Sequence, residues 1–199
     1  MNHINEDKYL HRKRNRIKLY FRLRLGLQQL VLRPYNMAVP ILLIFLLTTL
    51  WKLKWIFLPY KAIPLSLLPI YQYIISVGTV LIPLVFLLGF LHFLGEITAR
   101  QDESNLIVAF TEKDLRNGHP ILVSRKKFQG DVTIREFYTN IPLKIWKARK
   151  DEISDIMNIH FVTEIEYGGK KNDNGNRIIL YTAPTRKRTD RGQLYDSEL

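Results

Sequence analysis

Apolar positions divide this chain into three stretches of different periodicity. Residues 1–34 interleave Leu, Ile, Tyr and Phe with cations, residues 35–95 are almost wholly apolar, and from residue 96 short apolar runs alternate with polar turns. Tyr35–Trp51 holds no charged residue, and Ala62–Gly95 holds none besides the titratable His92. A bilayer-crossing helix needs roughly 20 mainly apolar residues. The first run, YNMAVPILLIFLLTTLW, falls slightly short, and Lys52 and Lys54 extend it by reaching towards the interface. The second run is too long for one straight span. Pro64 and Pro69 break its start, which predicts a connector over 60–70 and a second span over about Ile70–Leu94, kinked at Pro83. Residues 35–96 thus read as a membrane α-helical hairpin of two transmembrane helices. A cleaved signal peptide does not fit, because some 34 residues precede the first apolar run and no small-residue site follows it.

The polar third predicts a small α+β domain with an antiparallel sheet over 98–184. TARQDESN is a polar exit, NLIVAF a short strand, and TEKDLRNG a helical turn capped by Thr111 and closed at Gly118. A β-hairpin follows, with arms at about Ile121–Phe128 and Val132–Thr139. Pro142 opens a helix with Ile145, Trp146, Ile153 and Ile156 on one face and Lys144, Lys147, Lys150, Asp151 and Asp155 on the other. IHFVTEIEYG and RIILYTAP are strands, with the turn at Asn174-Gly175 between them. Residues 185–199 read as a flexible polar tail.

Charge adds orientation. Of the net +12, the arm over 1–34 supplies +7: Lys8, Arg12, Lys13, Arg14, Arg16, Lys18, Arg22, Arg24 and Arg33 against Glu6 and Asp7. Cations beside a span favour the cytoplasmic side, so a bacterial cytoplasmic (inner) membrane protein with two passes and both termini cytoplasmic is expected. Three lysines in the connector oppose that orientation without reversing it. Leu19, Leu23, Leu27 and Leu30 recur at helical spacing, so the arm reads as a basic amphipathic helix along the headgroups. Its contact residues for anionic membrane lipid or nucleic acid are Arg12, Lys13, Arg14, Arg16, Lys18, Arg22, Arg24 and Arg33. Each cation near an anionic leaflet contributes roughly 1 kcal/mol. DNA phosphates offer similar complementarity, as does an acidic partner protein, and the arm alone does not decide among them.

No catalytic, cofactor or metal constellation is legible. GGKKNDNGN has neither the spacing nor the strand-to-helix setting of a phosphate loop. No two of the five histidines lie at i, i+3 or i+4, and none has a carboxylate pair at metal-ligand spacing. His92 and Glu96 stand one helical turn apart and can pair. The serines lack a nucleophile-elbow context.

The order of parts, carried by FYTNIPLKIWKARKDEISDIMNIHFVTEIEY, GNRIILYTAP and LYDSEL, resembles the front end of FtsK/SpoIIIE-type DNA translocases of conjugative elements, the TcpA-like coupling proteins. The resemblance spans about residues 36–199 and rests on layout. It implies a lead-in to an ATPase motor, yet the chain stops at Leu199, where that motor would begin, with no Walker motif to carry ATP hydrolysis. The expectation is therefore a non-enzymatic membrane subunit of a conjugative DNA-transfer or secretion apparatus. Trp146, Lys147, Arg149 and Lys150 are its partner-docking candidates, and self-association into a homo-oligomer is left open. The alternative is a membrane-tethered nucleic-acid-binding protein using the arm and the cations at 186–188. A small transporter or enzyme is disfavoured, because the two spans carry no acidic or basic side chain to hold a substrate.

Overall fold

Proline placement sets the first helix boundaries. The computed structural model describes residues 2–57, 64, 66–116, 118–128, 130–169 and 171–185, with the side chains of 2–8, 10, 11 and 54–57 left aside. Most of the expected connector before Pro64, the cations at 186–188 and nearly all of the expected tail lie outside the described residues. Helix α1 runs Asn2–Leu32. It stops where Pro34 disfavours helical geometry at Arg33, which is extended (φ −127, ψ 93). A 3-10 turn over Pro34–Met37 leads into α2, Ala38–Phe57. Helix α3 is Leu68–Ala109 and passes through Pro83.

Two helices are long and apolar enough to cross a membrane, within Pro34–Leu53 and Leu68–Ala109. Their side chains are largely exposed: Ile41, Leu42, Ile44 and Phe45 on α2 and Ile74, Val85 and Phe86 on α3. Helices apolar all round need either a protein core or lipid. Their threonine hydroxyls bond within the helix: Thr48 and Thr49 donate to the Phe45 carbonyl at 2.8 Å and Thr79 to that of Ile75 at 2.7 Å.

The chain divides into two compact units between Thr98 and Ala99. Where the sequence suggests a polar exit and a strand at 98–110, α3 instead continues to Ala109. No Pro or Gly interrupts it after Gly95, and Ala99, Asp102, Leu106 and Ala109 recur at helical spacing and are buried. That face overrides the β-branched Ile107 and Val108.

In the second unit α4 (Glu112–Leu115) starts at Thr111, whose N–H and hydroxyl both donate to Asp114 Oδ2, at 3.2 and 2.7 Å. Gly118 closes the segment at φ +112, a conformation that favours glycine. Strands β1 (Ile121–Lys127) and β2 (Thr133–Tyr138) form the antiparallel hairpin that the sequence predicts. The single expected helix is two, α5 (Leu143–Ala148) and α6 (Lys150–Met157), broken at Arg149 (φ −96, ψ 10). Asn158 ends α6 in the left-handed region.

The expected strand over IHFVTEIEYG is likewise two, β3 (Ile159–Phe161) and β4 (Glu166–Gly168). Both pair antiparallel with β5 (Asn174–Pro184). Asn174-Gly175 is not the turn but the start of β5. The reversal lies just before it, where Gly169 and Asn172 take positive φ (94 and 53). Strand β5 also pairs with β2 along its other edge, giving the order β1-β2-β5-β3 with β4 beside β5. One sheet face is buried through Phe137, Ile178 and Leu180, with Trp146, Ile153 and Leu106 also in the core. On the other face Glu136 accepts from Arg177 Nη1 at 3.0 Å and the Gly169 N–H at 3.3 Å.

Candidate functional site

In the first unit the basic arm is docked rather than free. Phe21, Arg22, Leu25, Gly26, Gln29 and Leu30 form a buried stripe along α1. Leu19 and Leu27, expected on the apolar face towards the membrane, are half exposed. Two glycines set the approach of α1 and α3. A Cβ on Gly26 would run into the Leu91 carbonyl, and one on Gly95 into the Arg22 carbonyl. The pairs 26 with 91 and 22 with 95 define an antiparallel crossing at backbone contact, which only small residues permit.

Beside that crossing Arg22 Nε donates to Glu96 Oε2 at 2.6 Å, and Lys18 Nζ lies 3.8 Å from Oε1 of the same carboxylate. The Arg22 side chain is fully buried. Arg22 therefore leaves the set of surface contact residues: it is a buried ion-pair partner. Glu96, which the sequence pairs with His92, has its close ion pairs with Arg22 and Lys18. Arg12, Lys13, Arg16, Arg24 and Arg33 are exposed, and Arg14 is half-buried. Arg33 Nη1 donates to the Tyr35 hydroxyl at 3.0 Å.

The docking candidates of the second unit separate in the same way. Trp146 is fully buried, edge-on to Phe110 with ring centroids 4.8 Å apart and 5.8 Å from Phe137. It is a core residue and offers no surface to a partner, which corrects its assignment to docking. Among the described residues its Nε1–H has no hydrogen-bond partner. Arg149 Nη1 donates to both Glu152 oxygens at 2.7 and 2.8 Å, and its Nε lies 3.9 Å from Asp114. Hydrogen bonding to Glu152 raises the Arg149 pKa above its ordinary value. Lys150 Nζ reaches Glu164 at 2.6 Å, and that hydrogen bond holds the Glu164 carboxyl below its ordinary range. Of the four, Lys147 is exposed, and Lys144 accompanies it.

A polar cluster that local sequence does not signal lies at one end of the buried sheet face. Arg135 Nε donates to Asp102 Oδ2 at 3.1 Å, and its Nη1 donates to the Thr182 hydroxyl. Thr182 in turn donates to the Thr133 carbonyl at 3.1 Å. Arg125 Nη1 stands 3.5 Å from the same Asp102 oxygen. Burial lowers the Arg135 pKa and neighbouring Arg125 lowers it further, while Asp102 raises it. Asp102, Arg135 and Thr182 are all buried. Among the described residues no group of three or more His, Asp or Glu is placed to hold a metal ion.

No protein-family model and no curated protein matches the chain. Among solved structures it is similar to the pCW3 conjugation coupling protein TcpA, in monomer form with ATPγS, at 21% identity and a TM-score of 0.34. That similarity covers 42% of this chain and 23% of the other, so the chain spans about a quarter of that protein's length. It is a weak structural link, and function rests on the residues themselves.

Proposed function

We propose that the chain is a membrane-anchored, non-enzymatic subunit of a conjugative DNA-transfer or secretion apparatus, with both termini in the cytoplasm. The observation that carries the anchoring is the exposure of the apolar side chains of α2 and α3. Those surfaces need lipid or protein around them. The α1–α3 crossing supports it, because small residues at backbone contact suit helix association in a bilayer, where apolar side chains supply no drive to associate. The apparatus itself is drawn from the layout resembling conjugative coupling proteins. Docking falls to the exposed Lys144 and Lys147 of α5, with anionic lipid meeting the exposed cations of α1.

The full chain, captured in mild detergent from cells carrying a conjugative element, should bring down a motor, relaxase or channel component. Lys144→Glu with Lys147→Glu should lose it. Capture of none of these sinks the reading. The chain has no cysteine, so Asn2→Cys and Ser197→Cys report topology directly. A membrane-impermeant maleimide should label both only after lysis.

The second reading, nucleic-acid binding by the arm, is favoured by the exposure of Arg12, Lys13, Arg16 and Arg24. It requires binding of the whole chain to duplex DNA that weakens steeply with salt. A flat salt response removes it.

A further inference from the structure

The buried sheet face carries a charge arrangement that a structural salt bridge does not need. Arg125 and Arg135 are directly opposed across the β1–β2 pair. Like charges so placed destabilise a sheet. Asp102 bridges them through one oxygen, at 3.5 Å to Arg125 and 3.1 Å to Arg135. The next opposed pair on that face is Lys127 with Thr133, and it adds a third cation. These groups line an open cavity of about 330 Å³, whose acidic lining is Asp102 and Asp131. The cavity therefore carries one cation more than its acids balance. Asn105 and Asn158 bring amides to the same space, while Met157, Ile159 and Pro184 form an apolar wall. A guanidinium such as that of Arg125 presents parallel N–H donors matched to phosphate oxygens.

We propose that this cavity binds the phosphate group of a phosphate monoester. Arg125 and Lys127 meet the oxygens, and Arg135 is held in place by Asp102 and Thr182. The apolar wall takes the body attached to the phosphate. This site stands apart from the membrane reading and does not depend on it.

The test uses the full chain in detergent, with inorganic phosphate titrated against chloride at constant ionic strength. Ligand binding to the folded state raises the unfolding temperature saturably. A saturable rise is expected, and Arg125→Gln should raise the half-saturating concentration at least tenfold. Lys127→Gln should weaken it several-fold, and Arg125→Lys should retain part of the response. Lys113→Gln, outside the cavity lining, should match the parent. If Arg125→Gln unfolds the protein, the exposed Lys127→Gln decides. A nucleoside monophosphate and vesicles containing phosphatidic acid then distinguish a soluble from a lipid source by which half-saturates at lower phosphate. No rise beyond the chloride control, or equal responses in the parent and both Gln variants, overturns the proposal.

Discussion

Arg22 of α1 and Glu96 of α3, 74 positions apart, meet as Nε donor and Oε2 acceptor at 2.6 Å. The guanidinium is fully buried while the carboxylate is about one-third exposed (37%). Removing the acid leaves a buried cation without its principal counter-charge, an error that costs about 3–5 kcal/mol in a fully buried pair. Exposure of Glu96 reduces this, so Glu96→Gln should lose about 2 kcal/mol. Arg22→Met combined with Glu96→Met should recover most of that loss. Thermal unfolding in detergent measures it. Single variants indistinguishable from the parent would show that the pair holds nothing.

Gly26 and Gly95 make a sharper test, because their surroundings are backbone and cannot rotate away. Gly26→Ala and Gly95→Ala should each force α1 from α3 at a cost of about 2 kcal/mol, in the range for overpacked contacts. Gly78 and Gly89 on α3 have open space where a Cβ would stand. Gly78→Ala should be neutral or stabilising through helix propensity, by up to about 1 kcal/mol. Protease cleavage within α1 is the readout: faster for the first two variants, unchanged for the third.

Trp146→Ala should cost about 3–5 kcal/mol, as loss of a large buried aromatic does. Trp146→Phe should cost much less. It keeps aromatic packing beside Phe110 and Phe137 and removes a buried N–H that has no partner among the described residues. Equal losses in the two variants would mean that the indole itself, and not the buried volume, governs this position.

Acid should weaken the second unit through two surface carboxylates. The Thr111 hydrogen bonds hold Asp114 below its ordinary 3.8, and Lys150 holds Glu164 below its ordinary 4.5. A carboxylate depressed in the folded state adds stability above its unfolded value, and that stability is lost as pH falls through the folded one. The contribution should therefore be complete above about pH 5 and fade below about pH 4. Asp114→Asn with Glu164→Gln should flatten that acid limb. An unchanged limb would assign the acid response to other groups.

Local patterns announced the helices and the first hairpin. Residues 35–57 and 68–94 are apolar enough to need no partner for recognition, and β1 and β2 alternate around a short turn. What stayed hidden depends on distant residues. Nothing near Arg22 distinguishes it from Arg16 or Arg24; its burial follows from Glu96 and Gly95. The helical continuation to Ala109 was masked by Ile107 and Val108, and one of its buried anchors, Asp102, is charged. The Arg125–Arg135 opposition appears only once the hairpin register is known. Trp146 shares a helix with lysines, and sequence alone did not tell its core face from a binding face.

Strand β5 pairs with β2, β3 and β4, and is the last of them to be synthesised. Until residue 184 has emerged, the hairpin lacks its neighbour and the two short strands lack any partner. The apolar helices precede this strand by more than 60 residues. On the membrane-anchored function proposed above, membrane targeting begins during translation while the α+β unit is still open. A ribosome stalled before β5 would present an exposed β2 edge, the state in which chaperone capture and misassembly are most to be expected.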